Sequence, residues 1–167
     1  MKRYIKSAIG NIFEEDYLTR FEIAKSSTDP IILRKLASDD FELVRLGVYN
    51  NPNAPQEVKN VAMYHGVSTS SVSYQIYCYG DIADKEEISD IVDKAIMVGA
   101  FIDGSPKITG TQDVLSVSGQ FIVPHRSQCE YDTLDRIHDA LDHSGHNVTN
   151  AFIVSVWQVP IRYYNLI

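Results

Sequence analysis

No stretch of the 167 residues approaches the ~18 consecutive apolar positions that a membrane-spanning helix requires, so a membrane span is not expected. The first residues, Met1-Lys2-Arg3-Tyr4-Ile5-Lys6, are basic but have no apolar stretch behind them, and no secretory signal is expected either. Cysteine is scarce. Cys78 and Cys129 make no CxxC pair and no disulfide framework, which points to a reducing, cytoplasmic setting. Neither GxGxxG, GxxxxGK[ST] nor GxSxG occurs, so the phosphate-binding loops and the serine-hydrolase elbow are missing. Positive charge is also thin, with 15 Lys+Arg against 22 Asp+Glu and a net charge of -7. Residues 1–67 hold nine basic and nine acidic residues, whereas residues 68–167 hold six and thirteen. The second part therefore repels phosphate and is a poor nucleic-acid binder, although it suits a basic protein. At 44% hydrophobic and 22% charged residues, wholesale disorder is excluded.

What the first part does contain is a repeat. A shift of 25 residues lays Arg20-Phe21-Glu22-Ile23-Ala24 over Arg45-Leu46-Gly47-Val48-Tyr49, Pro30 over Pro55, Leu33 over Val58, Arg34 over Lys59, and Ala37 over Ala62. Asp29-Pro30 and Ala54-Pro55 open helices, because proline is tolerated in the first turn where its missing N–H has no partner to lose. Leu33, Leu36 and Ala37 then share one helix face, and Val58, Val61 and Ala62 repeat that spacing. The cluster Asn50-Asn51-Pro52-Asn53 marks a turn. A single unit of this kind cannot cover its own apolar face, so the units are expected to stack.

Thr28-Asp29-Pro30, Leu33, Leu36-Ala37, Asp39-Asp40, Val44-Arg45, Val48 and Asn51-Pro52-Asn53-Ala54-Pro55 together resemble the variant leucine-rich repeat. This short helical, HEAT-like repeat occurs in bacterial and phage proteins. The resemblance spans about residues 17–66, in two units, and implies a scaffold or interaction surface without a shared enzymatic activity. The iron–sulfur cluster found beside some members needs a cysteine cluster that this chain lacks. Repetition also places Arg20 with Arg45, and Arg34 with Lys59, as two short basic ridges. Those ridges are candidates for contact with an acidic protein or nucleic acid, the alternative being that Arg45 pairs with Asp39, Asp40 or Glu42.

Gly66 to Ser71 is small and polar and separates two expected domains, a helical repeat module over 1–67 and an α+β domain over 68–167. Beyond it the periodicity becomes two-fold. Val72, Tyr74, Ile76 and Cys78 fall on one face of a strand. Asp84 is placed to cap a helix carrying Ile88, Ile91, Val92, Ala95 and Ile96, with Gly99 after it. Residues 107–123 read as β-rich, either one long strand or a hairpin about Gly110–Asp113. A helix over Tyr131–His143 and a strand over Ala151–Val159, apolar on both faces, complete the order βαββαβ. That is the ferredoxin-like plan, with two helices covering one face of an antiparallel sheet. Tyr77, Tyr79, Trp157, Tyr163 and Tyr164 supply aromatic anchors for a protein contact, and the Ala151–Val159 strand offers an edge for a homodimer.

The one cluster of ligand-type residues is His125, Cys129, His138, His143 and His146, whose spacing follows no zinc pattern. Cys129 as a nucleophile would need His125 or His138 as base, with Asp132 or Asp135 to orient it. Asp132, Asp135, Asp139 and Asp142 form an acidic helix stripe, and Cys78 is expected in the core. With no complete catalytic constellation, the sequence points to a non-enzymatic protein-binding module without a cofactor. In that reading it is a bacterial or phage adaptor or inhibitor acting through an acidic, tyrosine-rich surface. The alternatives are a metal-dependent or cysteine hydrolase using His125–His146, and nucleic-acid binding through the basic ridges.

Overall fold

Three of the four α-helices described in the first 67 residues start where a capping aspartate or a proline makes starting cheap. The computed structural model describes residues 12–125 and 128–159. After a 3-10 turn at Ile12–Glu14 come α1 (Tyr17–Ser26), α2 (Pro30–Leu36), α3 (Glu42–Asn50) and α4 (Gln56–Tyr64). Asp16 caps α1 by accepting from Leu18 N at 2.9 Å and Thr19 N at 3.1 Å. The Thr19 hydroxyl also donates to Asp16, and this bond is the largest cause of a carboxyl held below its usual range. Asp29 caps α2 through Ile31 N at 2.8 Å, with Pro30 in the first turn. Helices α1 and α3 begin 25 residues apart, at Tyr17 and Glu42.

These four helices close around Phe21, Leu33, Leu36, Val44, Leu46, Val58 and Ala62, all buried. Helices α1 and α3 meet at Gly47, where an added Cβ would lie 3.0 Å from both Ala24 Cβ and Phe21 Cδ2. Asn51, wholly buried, donates to Ala24 O at 2.8 Å and Ser27 O at 2.9 Å and accepts from Asn53 N at 2.7 Å. It thereby satisfies carbonyls that the end of α1 would otherwise leave orphaned. One expectation needs correcting. Val58 and Ala62, four residues apart, face inward, but Val61 lies off their line and is 39% exposed.

The chain divides between Val67 and Ser68 into two compact units. The second unit has the order β1 (Thr69–Tyr79), α5 (Lys85–Met97), β2 (Phe101–Ile102), β3 (Lys107–Gly110), β4 (Val114–Pro124), α6 (Cys129–His143) and β5 (Val148–Val159). It is a mixed α+β unit. Its five strands form an antiparallel sheet in the order β2-β4-β1-β5, with β3 also pairing β4. Val72, Tyr74, Ile76 and Cys78 of β1 and Leu115, Val117, Phe121 and Val123 of β4 alternate onto one face. There they pack against Ile88, Val92 and Ile96 of α5 and Leu134, Ile137 and Leu141 of α6.

Residues 107–123 resolve into a hairpin, with Thr111 N donating to Val114 O at 3.1 Å across the turn. Strand β1 starts at Thr69, so part of the expected linker belongs to the sheet. Asp84 stands at the start of α5 without a side-chain cap bond, and it is Asp81 that accepts, from Ala83 N, one turn earlier. Strand β5, expected over Ala151–Val159 as apolar on both faces and at an edge, runs over Val148–Val159 at the end of the strand order, with Phe152, Val154, Val156 and Trp157 exposed. Among the described residues no helix is long and apolar enough to cross a membrane.

Candidate docking face on the sheet

Strand alternation that buries Val72, Tyr74, Ile76 and Cys78 turns Ser71, Ser73, Gln75 and Tyr77 to the opposite face. Register extends this face sideways. Ser71 pairs with Trp157, Gln75 with Phe152 and Tyr77 with Asn150 on β5, while Gln75 pairs with Ser118 and Tyr77 with Ser116 on β4. Partners in an antiparallel pair share a face, so one uncovered surface carries serine, glutamine and aromatic side chains together. Gln75 Nε2 donates to Ser116 Oγ at 2.6 Å, and Gln120 Nε2 donates to Ser73 Oγ at 3.2 Å. The Tyr77 and Phe152 rings lie 6.4 Å apart, and Tyr79 and Trp157 are also exposed. A shallow depression of about 430 Å³ opens among Ser73, Gln75, Ser118, Gln120 and Val154, with Lys107 and Asp103 at its side.

Strands β1, β4 and β5, of 11, 11 and 12 residues, contain no charged side chain at all. Acidic residues collect instead on the helices, at Glu86, Glu87, Asp90 and Asp93 of α5 and at Asp132, Asp135, Asp139 and Asp142 of α6. The expected acidic, tyrosine-rich surface is therefore two surfaces. Most of its acids lie on the helices, where Tyr131 is also exposed, and the exposed rings of Tyr77, Tyr79, Phe152 and Trp157 lie on the sheet. Phe152 and the serine/glutamine ladder were not singled out from the sequence, although their i, i+2 spacing in two strands carried the signal. Tyr163 and Tyr164 lie outside the described residues.

The late histidines are dispersed. His125 Nδ1 lies 2.6 Å from Ser70 Oγ, and Ser70 is buried where β1 begins. His138 Nδ1 is 3.5 Å from Asp139 and 3.6 Å from Asp142. His143 donates from Nδ1 to Asp139 O at 2.6 Å, an attachment to the last turn of α6. His146 is buried beside Gly80, and half-buried Cys129 opens α6. Among the described residues no three His, Cys, Asp or Glu side chains are grouped to hold a metal ion. Cys78 is wholly buried, and burial, followed by Asp142, pushes its thiol pKa up.

Each of the four residues expected in the basic ridges has its own setting in the helical unit. Arg20 is buried and grips the Asp39 carboxylate through Nε at 2.7 Å and Nη2 at 3.1 Å, while Nη1 donates to Glu15 O. That pairing is the largest cause raising the pKa of its guanidinium. Arg45, its counterpart, donates to the carbonyls of Asp39, Asp40 and Gly66, so it does pair locally, but with backbone oxygens. Lys59 is buried, and exposed Arg34 lies 3.3 Å from Glu57. Arg20 and Arg45 are thus bound into the helical unit, whereas Arg34 remains at its surface. Comparison of the chain with protein-family models, with curated proteins and with solved structures finds no match.

Proposed function

We propose that this chain is a non-enzymatic protein-binding module that docks its partner on the aromatic, serine- and glutamine-rich face of its sheet. The observation that carries this reading is the exposure of Tyr77, Tyr79, Phe152 and Trp157 around the serine and glutamine side chains of three strands, β1, β4 and β5, that carry no charge themselves. Tyrosine and tryptophan bring large contact area at small entropic cost, and a charge-free centre is what a buried contact core requires. The second unit reads as ferredoxin-like, supported by the antiparallel order β2-β4-β1-β5 and by two helices sharing one core with the sheet.

The first unit reads as two units of a variant leucine-rich repeat type. Its support is the recurrence of helix starts and of an arginine, Arg20 and Arg45, that donates to the carbonyl five residues earlier. A bacterial or phage adaptor or inhibitor working in a reducing cytoplasm fits both parts.

The test compares capture by the wild-type chain with capture by a Tyr77→Ser/Phe152→Ser variant whose circular dichroism is native. A protein held by the wild type and lost by the variant is the expected result. Equal retention by both, or no retained protein, sinks the reading.

A further inference from the structure

The two arginines that recur at a spacing of 25 residues are closed off differently. Arg20 aims Nε and Nη2 at the Asp39 carboxylate, which stands nineteen residues further along the chain. That carboxylate is itself anchored, since Oδ1 also accepts from Phe41 N just before α3 begins. Half-buried Arg45 repeats the geometry up to its last partner. Its Nη1 donates to the carbonyl five residues back, Asp40 O, as Arg20 Nη1 does to Glu15 O. Its Nε and Nη2 then converge on one oxygen, Gly66 O, at 3.2 and 3.1 Å. Nineteen residues beyond Arg45 stands Tyr64, 87% exposed, so a neutral carbonyl takes the place of the carboxylate. Among the described residues no carboxylate pairs with Arg45. The apolar surroundings differ in the same sense. Helix α2 packs against α3 and α4, the pair that follows it, and Leu36 is wholly buried. Val61, the counterpart of Leu36 on α4, is 39% exposed, as are Met63 and Tyr64 after it, and no helix follows α4 in its unit. The last unit of a helical stack ordinarily turns a polar face outward, and this one does not.

We infer that Arg45 and Val61 receive an aspartate-bearing helical segment of a partner protein. Its carboxylate takes the two N–H groups that now share Gly66 O, and its apolar side covers Val61. Charge selects this occupant. A guanidinium fork that holds a single neutral oxygen gains a two-point, charge-assisted contact when a carboxylate replaces it. A neutral or basic partner gains nothing at that place. The Arg20–Asp39 pair is the precedent, the same fork closed within the chain by an aspartate at the approach to a helix. Residues 1–67 hold nine basic and nine acidic residues, so their charge does not oppose an acidic segment. A second copy fits less well, because its own Asp39 is already held by Arg20 and its net charge is -7. The inference rests on reading the first unit as a repeat and makes no use of the Tyr77–Phe152 face.

The probe is the segment of this chain that closes the Arg20 fork, a fluorescently labelled peptide of residues 29–53, one full repeat length. It is titrated with the full chain and followed by fluorescence anisotropy. The wild-type chain is expected to bind it, and to bind a peptide carrying Asp39→Asn ~10-fold more weakly. That comparison tests the carboxylate without touching the fold of the protein. Arg45→Gln, with native circular dichroism, should bind both peptides alike and weakly. Val61→Ser should weaken both peptides by a similar factor and keep the preference for aspartate. No binding of the wild-type peptide at ~1 mM overturns the inference. So do equal affinities for the two peptides, and an Arg45→Gln chain that still prefers the aspartate peptide. A full chain that self-associates, and that Arg45→Gln returns to its 18.8 kDa mass, also overturns it, the occupant then being a second copy. Tyr77→Ser/Phe152→Ser should leave peptide binding unchanged, so failure at this end and failure of the sheet face are read separately.

Discussion

The hydroxyl of Tyr74 lies 2.6 Å from the point where a side chain on Gly119 would begin. The two residues oppose each other between β1 and β4, and the buried Tyr74 ring stacks on Phe121 with 5.8 Å between centroids. Gly119 is glycine because the space over its Cα belongs to that ring. Gly119→Ala should therefore cost ~1–3 kcal/mol of stability and Gly119→Val more, since a well-packed core accommodates an added methyl only by strain. Removing the nearest atom with Tyr74→Phe should relieve part of the alanine cost. Urea unfolding of the four proteins in this cycle measures the coupling, and strict additivity would contradict the steric account.

Arg20 and Asp39 behave as one buried unit. Their side chains are 9% and 0% exposed, and Asp39 Oδ1 also accepts from Phe41 N at 2.9 Å. Removing one partner strands the other charge in the core, so Arg20→Met or Asp39→Asn should each lower stability by about 3–5 kcal/mol. Replacing both, as Arg20→Met/Asp39→Leu, should cost clearly less than the sum. Arg45→Met, which frees only backbone carbonyls near the surface, should cost about 1 kcal/mol. Thermal melts that rank Arg45 above Arg20 would refute this ordering.

Local signals were readable before any coordinates. Asp29-Pro30 announced α2, the Leu33, Leu36, Ala37 spacing named its buried face, and alternation from Val72 to Cys78 gave the inner side of β1. Facts that depend on distant parts of the chain were not readable. Arg20 resembles a surface arginine until Asp39, nineteen residues on, is seen to take it. The edge position of Ala151–Val159 comes from the expected order of elements and not from its apolar run, because periodicity carries no information about sheet order. Bulges at Thr149 and Val154, where the pairing of β5 with β1 slips, have no sequence mark of their own here. The collection of acid on the helices was there to be read, since two acidic helices alternate along the chain with three strands that carry no charge.

Asn51 illustrates the same limit at one residue. Read locally it is a turn former, yet its side chain closes the end of α1, 24 to 27 residues back in the chain. Asn51→Ala should destabilise by ~1–3 kcal/mol, the cost of leaving buried carbonyls and the Asn53 N–H without partners. Asn51→Asp should be at least as damaging at neutral pH, because it aims negative charge at two carbonyl oxygens. Chemical denaturation of both variants checks the direction, and a neutral alanine variant would show that water replaces the amide.

The thiols should differ in reactivity. Burial holds the Cys78 thiol protonated, whereas Cys129 is only half-buried at the start of α6. Brief alkylation of the native protein followed by mass spectrometry should mark Cys129 at least ~10-fold faster than Cys78, since the thiolate is the reactive form. Equal labelling in the native state would mean that the sheet core opens readily.

Asp93 gives the fold a pH dependence whose sign can be worked out. Its Oδ1 is buried without a hydrogen-bond partner, and burial, followed by Asp90, raises its pKa above the ordinary 3.8. The charged form is thus the one that folding disfavours. Below the ordinary value the carboxyl is protonated folded or unfolded, and nothing is lost. As pH climbs from 3.8 through the folded-state value, the unfolded chain has already released its proton while the folded chain still holds it, so stability falls. Asp93→Asn removes the titration. The variant should match the wild type near pH 3 and exceed it at neutral pH by about 1 kcal/mol or less, partial exposure limiting the gain. Urea midpoints for both proteins across this range decide it, and an asparagine variant weaker than the wild type at neutral pH would show that the charge has a partner in solution.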